Sequence, residues 1–163
     1  MRRTVAYIFI SLLLITLHTL LIEFFAVAGI APDVLLLWVV YLAIREGQIA
    51  GTGAGFAIGL AMDFLSGHDG VLGLSALAKT VGGFIAGYFY NENKTLQTLG
   101  GHRFIIAIAT ASLLHNVFYF LIILQGKDIP WWHTILLYGV PTTLYTVVLG
   151  LIPMFAFARK YLT

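Results

Sequence analysis

The chain has 163 residues, of which 60% are hydrophobic and 10% are charged, and its formal net charge is +2. Because soluble domains carry about one quarter charged residues, this composition excludes a soluble globular protein and indicates an integral membrane protein. The absence of cysteine excludes disulfides, thiol catalysis and thiolate metal sites. No polar stretch is long enough for a soluble domain, so we expect residues 1–163 to form a single transmembrane domain of the all-α class.

Six apolar runs predict six membrane-spanning helices, at about 4–28, 33–44, 48–65, 71–90, 104–124 and 132–158. The second run is short, because its dozen residues cover roughly 18 Å in a helix, whereas a span needs about 20 residues. A re-entrant segment is therefore the alternative for residues 33–44.

The distribution of lysine and arginine favours six complete crossings. With six spans, one side carries Arg2, Arg3, Arg45, Lys94, Arg103, Arg159 and Lys160. The other side carries only Lys127. If the second run did not cross, this asymmetry would nearly vanish. The positive-inside rule therefore predicts six spans with both termini in the cytoplasm.

The first run also resembles a cleaved signal peptide, because Arg2 and Arg3 precede it and Ala26-Val27-Ala28 follows it. Its apolar part is longer than the usual stretch of about 7 to 15 residues. Bulky residues, Glu23 among them, also crowd the cleavage position. We therefore expect the first helix to remain in the protein.

Small residues recur every four positions in the third and fourth predicted helices. The first series is Gly51, Gly55 and Gly59, ending on Asp63, and the second is Ser75, Lys79, Gly83 and Gly87. A spacing of four places each series on one stripe of its helix. Because small residues let membrane helices approach closely, the glycines predict tight packing of these two helices.

An ionisable side chain inside a membrane is costly unless it faces protein or water. Asp63 and Lys79 end or interrupt the two glycine series, so we expect them to form an intramembrane charge pair. Two roles remain open for this pair. It either fixes the hairpin of the third and fourth helices or holds a partner or ligand directly.

Further candidate polar sites occur in the other spans. Glu23 lies in the first helix, as does His18, and Asp33 is the first residue of the second. In the fifth helix, His115 and Asn116 belong to a polar stripe with Ser112 and Tyr119. We expect this stripe to form hydrogen bonds across helices, with packing as its first role.

Pro141 and Pro153 lie in the sixth predicted helix, and each removes a backbone donor. Kinks at these positions either shape a packing surface or build a transport site, and the lack of an inverted repeat favours packing.

Catalysis has little support in the sequence. Ser66, His68 and Asp69, with Asp63, could supply a nucleophile, a base and a carboxylate, but the same residues are typical of a solvated turn. No phosphate-binding glycine loop and no zinc-binding histidine spacing occurs. We expect no enzymatic activity and no cofactor. Lipid headgroups, rather than nucleic acid, explain the basic charge.

Several motifs in the second to fourth helices resemble one family. They are PDVLLL at 32–37 with YLA at 41–43, GFAIGL at 55–60 followed by DFLSG at 63–67, and LGLSAL at 72–77 followed by Lys79. Together they cover about a third of the chain and resemble the MreD family, the rod shape-determining membrane proteins of bacteria. The pair Arg45-Glu46 departs from this family, in which a more basic loop is common at that place.

The resemblance implies a six-helix bundle of the bacterial inner membrane with no known enzymatic activity. It implies MreC as a partner, together with the RodA glycosyltransferase and its penicillin-binding transpeptidase, and MreB in the same system. The architecture implied is also similar to that of the substrate-binding subunits of energy-coupling-factor vitamin transporters.

Two functions follow as hypotheses. The first is a scaffold of the cell-elongation machinery that binds MreC and supports lateral peptidoglycan synthesis. The second is capture of a small, vitamin-like molecule in an outward pocket lined by Glu23, Asp63, His68 and Lys79. The short predicted outer loops offer few polar groups to orient a hydrophilic ligand, which favours the scaffold.

Overall fold

The apolar runs fold into helices in the computed structural model, which describes residues 2–66, 72–126 and 128–162. The helices are α1 (Arg2–Phe25), α2 (Val34–Glu46), α3 (Gln48–Ser66), α4 (Leu74–Gly87), α5 (Thr95–Leu99), α6 (His102–Ile123), α7 (Trp131–Thr134) and α8 (Val140–Leu162). A 3₁₀ turn at Glu92–Lys94 precedes α5, and a π-helical turn at Ile135–Gly139 joins α7 to α8 without a break. The described residues contain no β-strand, which confirms the all-α class.

Four helices are long and apolar enough to cross a membrane. They are Arg2–Ile22, Gln48–Leu65, His102–Ile123 and Trp131–Lys160. With 13 and 14 residues, α2 and α4 are shorter than a complete span. At 1.5 Å per residue each covers roughly 20 Å.

The short helix α2 lies at the centre of the molecule. Its residues Leu35, Leu36, Val39, Val40, Ala43 and Ile44 are fully buried. They pack against α4 and α6 on one side and against α1 and α3 on the other. Because protein rather than lipid surrounds α2, it does not need the length of a helix that faces the bilayer.

The predicted glycines lie in the contact between α3 and α4. A Cβ atom on Gly59 would lie 2.5 Å from the Cα of Ala76, and one on Gly83 would lie 2.7 Å from the carbonyl carbon of Gly51. Gly55 faces the backbone of Lys79, and Gly87 faces that of Gln48. Only glycine fits at these places without moving a neighbouring backbone.

One end of the bundle gathers most of the basic residues, and we call it the basic end. There α1 begins, α2 is followed directly by α3, and α6 begins close to the last turns of α8. Two contacts mark this level. The Tyr7 hydroxyl donates to Glu46 Oε1 at 2.6 Å, and Gly100 packs against the backbone of Ala158.

At the other end a tight turn connects α1 to α2. The N–H of Val27 donates to the carbonyl of Ile30 at 2.9 Å, and the N–H of Ile30 returns a bond of 3.0 Å to Val27. The two residues between them have positive φ, 53° at Ala28 and 78° at Gly29. This turn places Asp33 at the start of α2.

Candidate functional site

Asp33 is the centre of a polar cluster inside the bundle. Its Oδ1 accepts a hydrogen bond of 2.8 Å from the N–H of Leu36 and so caps the N-terminus of α2. Its own N–H donates to Thr146 Oγ1 on α8 at 3.0 Å. Its Oδ2 accepts from Lys79 Nζ on α4 and lies 3.5 Å from His115 Nε2 on α6. One residue thus links α2 to α4, α6 and α8.

The cluster lies deep in the molecule. Side-chain exposure is 14% for Asp33 and 7% for Lys79. Thr146, the fully buried partner of Asp33, lies 15 residues after Trp131, where the continuous helix formed by α7 and α8 begins. Asp33 is therefore roughly 22 Å from that beginning, measured along the helix axis. Because an isolated charge at this depth would be very costly, each charge requires the other. The positive end of the α2 dipole adds to the stabilisation of the carboxylate.

The predicted pairing of Lys79 with Asp63 is wrong, since the ammonium group of Lys79 binds Asp33 instead. Asp63 has different partners. Its Oδ2 accepts from the N–H of Gly73 at 3.1 Å and of Ala76 at 3.0 Å, and its Oδ1 accepts from the N–H of Ser75 at 3.0 Å.

These three bonds give Asp63 a structural role at the end of the α3–α4 hairpin, where α4 begins. The first turn of a helix leaves its N–H groups without intrahelical partners. Gly73, the N-cap residue of α4, has no side chain to supply one and has a φ of 94°. Asp63 therefore caps α4 from the neighbouring helix, and its carboxylate also suits the positive helix end.

Two histidines complete the surroundings of Asp33 and Lys79. His115 on α6 is buried, with an exposure of 6%, and His18 on α1 is close enough to interact with both charges. The Nδ1 atom of His18 is buried, and the described part of the chain offers it no hydrogen-bond partner. Ionisable groups from α1, α2, α4 and α6 thus converge on one region.

A second polar contact joins α6 to α8. The side-chain amide of Asn116 donates to the carbonyl of Gly139 and to Thr143 Oγ1, both at 3.0 Å. Ser112 donates to the same hydroxyl at 3.3 Å, and Thr143 donates to Gly139 at 2.8 Å. The predicted stripe of α6 therefore makes the expected bonds across helices at Ser112 and Asn116.

The π-helical turn ends two residues before Pro141, a residue that cannot donate a backbone hydrogen bond. Its last residue is Gly139, the residue whose carbonyl binds Asn116 and Thr143. The side chains of α6 and α8 thus bind a carbonyl beside the irregular turn. Pro141 and Pro153 both lie inside α8, and their role in packing stays a prediction.

Two threonines of this region, Thr143 and Thr146, are not predicted as site residues from the sequence. A threonine in a membrane helix usually bonds the carbonyl four residues earlier, and Thr146 does so with Thr142 at 2.8 Å. Because this local bond already accounts for the hydroxyl, the sequence gives no sign that the same oxygen also accepts a hydrogen bond from the N–H of Asp33. Asp33 carried a clearer signal, since an aspartate before an apolar run is a typical helix cap.

Some predicted site residues lie outside the described part of the chain. They are His68 and Asp69, together with the side chain of Glu23. Among the residues that the structure describes, no group of three histidine, aspartate or glutamate side chains is arranged to hold a metal ion. The arrangement of Asp33, Lys79 and His115 suits charge neutralisation between helices.

A comparison with protein families extends the match beyond the central helices. The family described as rod shape-determining protein MreD matches residues 1–163. No curated protein and no solved structure gives a significant match. Members of this family are integral proteins of the inner membrane and part of the MreB, MreC and MreD shape system. The chain therefore belongs to the MreD family and has a role in determining rod shape.

Proposed function

We propose that the chain is a non-enzymatic membrane scaffold of the cell-elongation machinery that binds the membrane helix of MreC. Through MreC it supports lateral peptidoglycan synthesis by RodA and its penicillin-binding transpeptidase. Membership of the MreD family supports the role in rod shape. The arguments for helix binding come from the bundle itself.

The scaffold has six spans in this proposal, with both termini in the cytoplasm. The four long apolar helices account for four of them. The two short helices, α2 and α4, complete the set because both pack against α3 in antiparallel orientation. The gathering of arginine and lysine at the basic end supports placing this end in the cytoplasm.

The observation that carries the proposal is that the other helices of the bundle cover little of the surface of α1. Only 6% of its spanning segment is buried, compared with 22% to 33% for the other three long helices. Its contacts with the bundle follow one narrow stripe. Tyr7 binds Glu46, Ser11 accepts from Trp38 Nε1 at 2.9 Å, and Ile15 is buried.

The opposite face of α1 is apolar and exposed. Phe9, Leu13 and Leu20 expose 67%, 48% and 64% of their surface. In a bilayer such a face contacts lipid or another helix, and a single-span partner can pack along it without displacing any helix of the bundle. We assign this face to the membrane helix of MreC.

The alternative, a subunit that captures a vitamin-like molecule, has less support. Two of the four side chains predicted to line its pocket are engaged inside the bundle. Asp63 accepts three backbone hydrogen bonds, and Lys79 is paired with Asp33. A ligand would have to compete with these contacts.

Cysteine cross-linking tests the helix-binding proposal directly, because the natural chain contains no cysteine. Single variants Phe9→Cys, Leu13→Cys and Leu20→Cys would be expressed with MreC that carries single cysteines along its membrane helix. The matched controls are Val148→Cys and Ile152→Cys on α8, which are 60% and 69% exposed. We expect disulfides with MreC at the α1 positions and none at the α8 positions.

Two results would contradict the proposal. Cross-links at α8 with none at α1 would move the partner helix to another face. Copurification of ATPase subunits with this chain, with no cross-link to MreC at either helix, would support the transporter subunit instead.

A further inference from the structure

A cavity of about 340 Å³ opens at the basic end, where the Glu92–Lys94 turn, α5 and the start of α6 meet. Its lining residues are Lys94, Gln97, Thr98, Gly101, His102 and Arg103. The cavity lies far from the Asp33 cluster, since His115 is 13 residues further along α6 than His102.

The residues that line this cavity carry a net positive charge. Lys94 and Arg103 are basic, and His102 adds another nitrogen donor. No acidic residue lines the cavity, and no ion pair is recorded for either cation within the described ranges. Two basic residues in the lining of one cavity, without a carboxylate in that lining, favour an anionic ligand.

The neutral groups of the lining favour an oxygen-rich anion. Gln97 supplies an amide, and Thr98 lines the cavity although it is only 2% exposed. The 22-residue helix α6 starts in the lining after Gly101, and no side chain caps its first turn. Backbone N–H groups at such a position are donors for phosphate oxygens.

The surroundings favour a lipid over a soluble phosphate. Ile106, 46% exposed, lies one helical turn beyond His102 on the same face of α6, and Leu96, 41% exposed, lies next to Gln97. Gly100 packs against Ala158, so the cavity lies close to the end of the apolar span Trp131–Lys160. We propose that this cavity binds the phosphate of an anionic phospholipid, whose acyl chains run along the exposed apolar residues of α5 and α6.

Native mass spectrometry of the purified full chain tests the site. The protein would be titrated with phosphatidylglycerol and, separately, with phosphatidylcholine. The variant Lys94→Gln/Arg103→Gln removes two cavity charges, and the matched control Arg2→Gln/Arg3→Gln removes two exposed charges from the same end of the bundle. We expect the cavity variant to bind phosphatidylglycerol on the order of tenfold more weakly, with the control unchanged and phosphatidylcholine binding weakly throughout.

Equal losses in both double variants would overturn the proposal, since they would show general attraction to the basic end. Equal binding of the two lipids would do the same. Displacement of bound phosphatidylglycerol by inorganic phosphate at millimolar concentration would identify a soluble phosphate as the ligand. Because Lys94 and Arg103 are exposed, the variants should fold, and the single variant Lys94→Gln provides the test if the double variant does not. These measurements need no MreC, so they succeed or fail independently of the proposed partner.

Discussion

Lys79 on α4 donates to the carboxylate of Asp33, the residue that caps α2. This pair joins two short helices that lie against each other. Through Thr146 and His115 the same aspartate also contacts α8 and α6. Through its carboxylate and its backbone N–H, this one residue therefore links four helices.

Asp33→Asn is expected to destabilise the protein strongly. Asparagine is a good helix cap, so the bond to Leu36 can remain, but Lys79 would be left as a buried charge without its counter-ion. Removing one partner of a buried pair costs about 3–5 kcal/mol. Thermal unfolding in detergent, followed by circular dichroism, measures the loss.

The double variant Asp33→Asn/Lys79→Met gives the matched control. Since it removes both charges, it should be more stable than Asp33→Asn alone. The combination Asp63→Asn/Lys79→Met should instead behave additively, because Asp63 does not contact Lys79 through its carboxylate. Coupling of Lys79 to Asp63 rather than Asp33 would contradict the observed pairing.

Asp63→Ala is expected to loosen the first turn of α4. It removes the acceptor of three N–H groups, at Gly73, Ser75 and Ala76, and should cost about 1–2 kcal/mol. Amide hydrogen exchange at Ser75 and Ala76 should become faster, with little change in the C-terminal half of α4. Asp63→Asn, which keeps an acceptor oxygen, should retain part of the protection. Uniformly faster exchange over the whole bundle would show that Asp63 has a global role.

The stripe of glycines and the partner of Lys79 show what sequence can and cannot predict here. The glycine contacts follow from spacing within one helix, which α-helical geometry fixes. The partner of Lys79 depends on how deep α2 begins, and that depth is set by the turn at Ala28 and Gly29 and by contacts with α8. A buried lysine needs a carboxylate as its partner, and in the sequence either Asp33 or Asp63 could supply it. Only the three-dimensional packing distinguishes them.

Asn116→Ala is expected to weaken the contact of α6 with the π-helical turn. The asparagine makes two hydrogen bonds of 3.0 Å, to Gly139 and Thr143, whereas Ser112 makes one of 3.3 Å to Thr143. We therefore expect Asn116→Ala to lower the free energy of unfolding by about 1–2 kcal/mol and Ser112→Ala to lower it by less than about 1 kcal/mol. Unfolding of both variants in the same detergent gives the comparison. The reverse order would mean that the amide of Asn116 is not the main link between α6 and α8.

Gly55→Ala and Gly53→Ala form a pair of variants within one helix that differ only in what their new methyl group meets. At Gly55 a Cβ would lie 2.7 Å from the carbonyl carbon of Lys79 and 3.1 Å from the N–H nitrogen of Thr80, so α3 and α4 would have to separate. Such overpacking costs about 1–3 kcal/mol. At Gly53 a Cβ meets nothing within 4 Å, so the higher helix propensity of alanine should leave stability unchanged or raise it by up to about 1 kcal/mol. Thermal unfolding of both variants in one detergent measures the difference. Equal stability would show that close approach of α3 and α4 does not depend on Gly55, whereas the expected gap would establish this glycine as a determinant of the packing between the two helices.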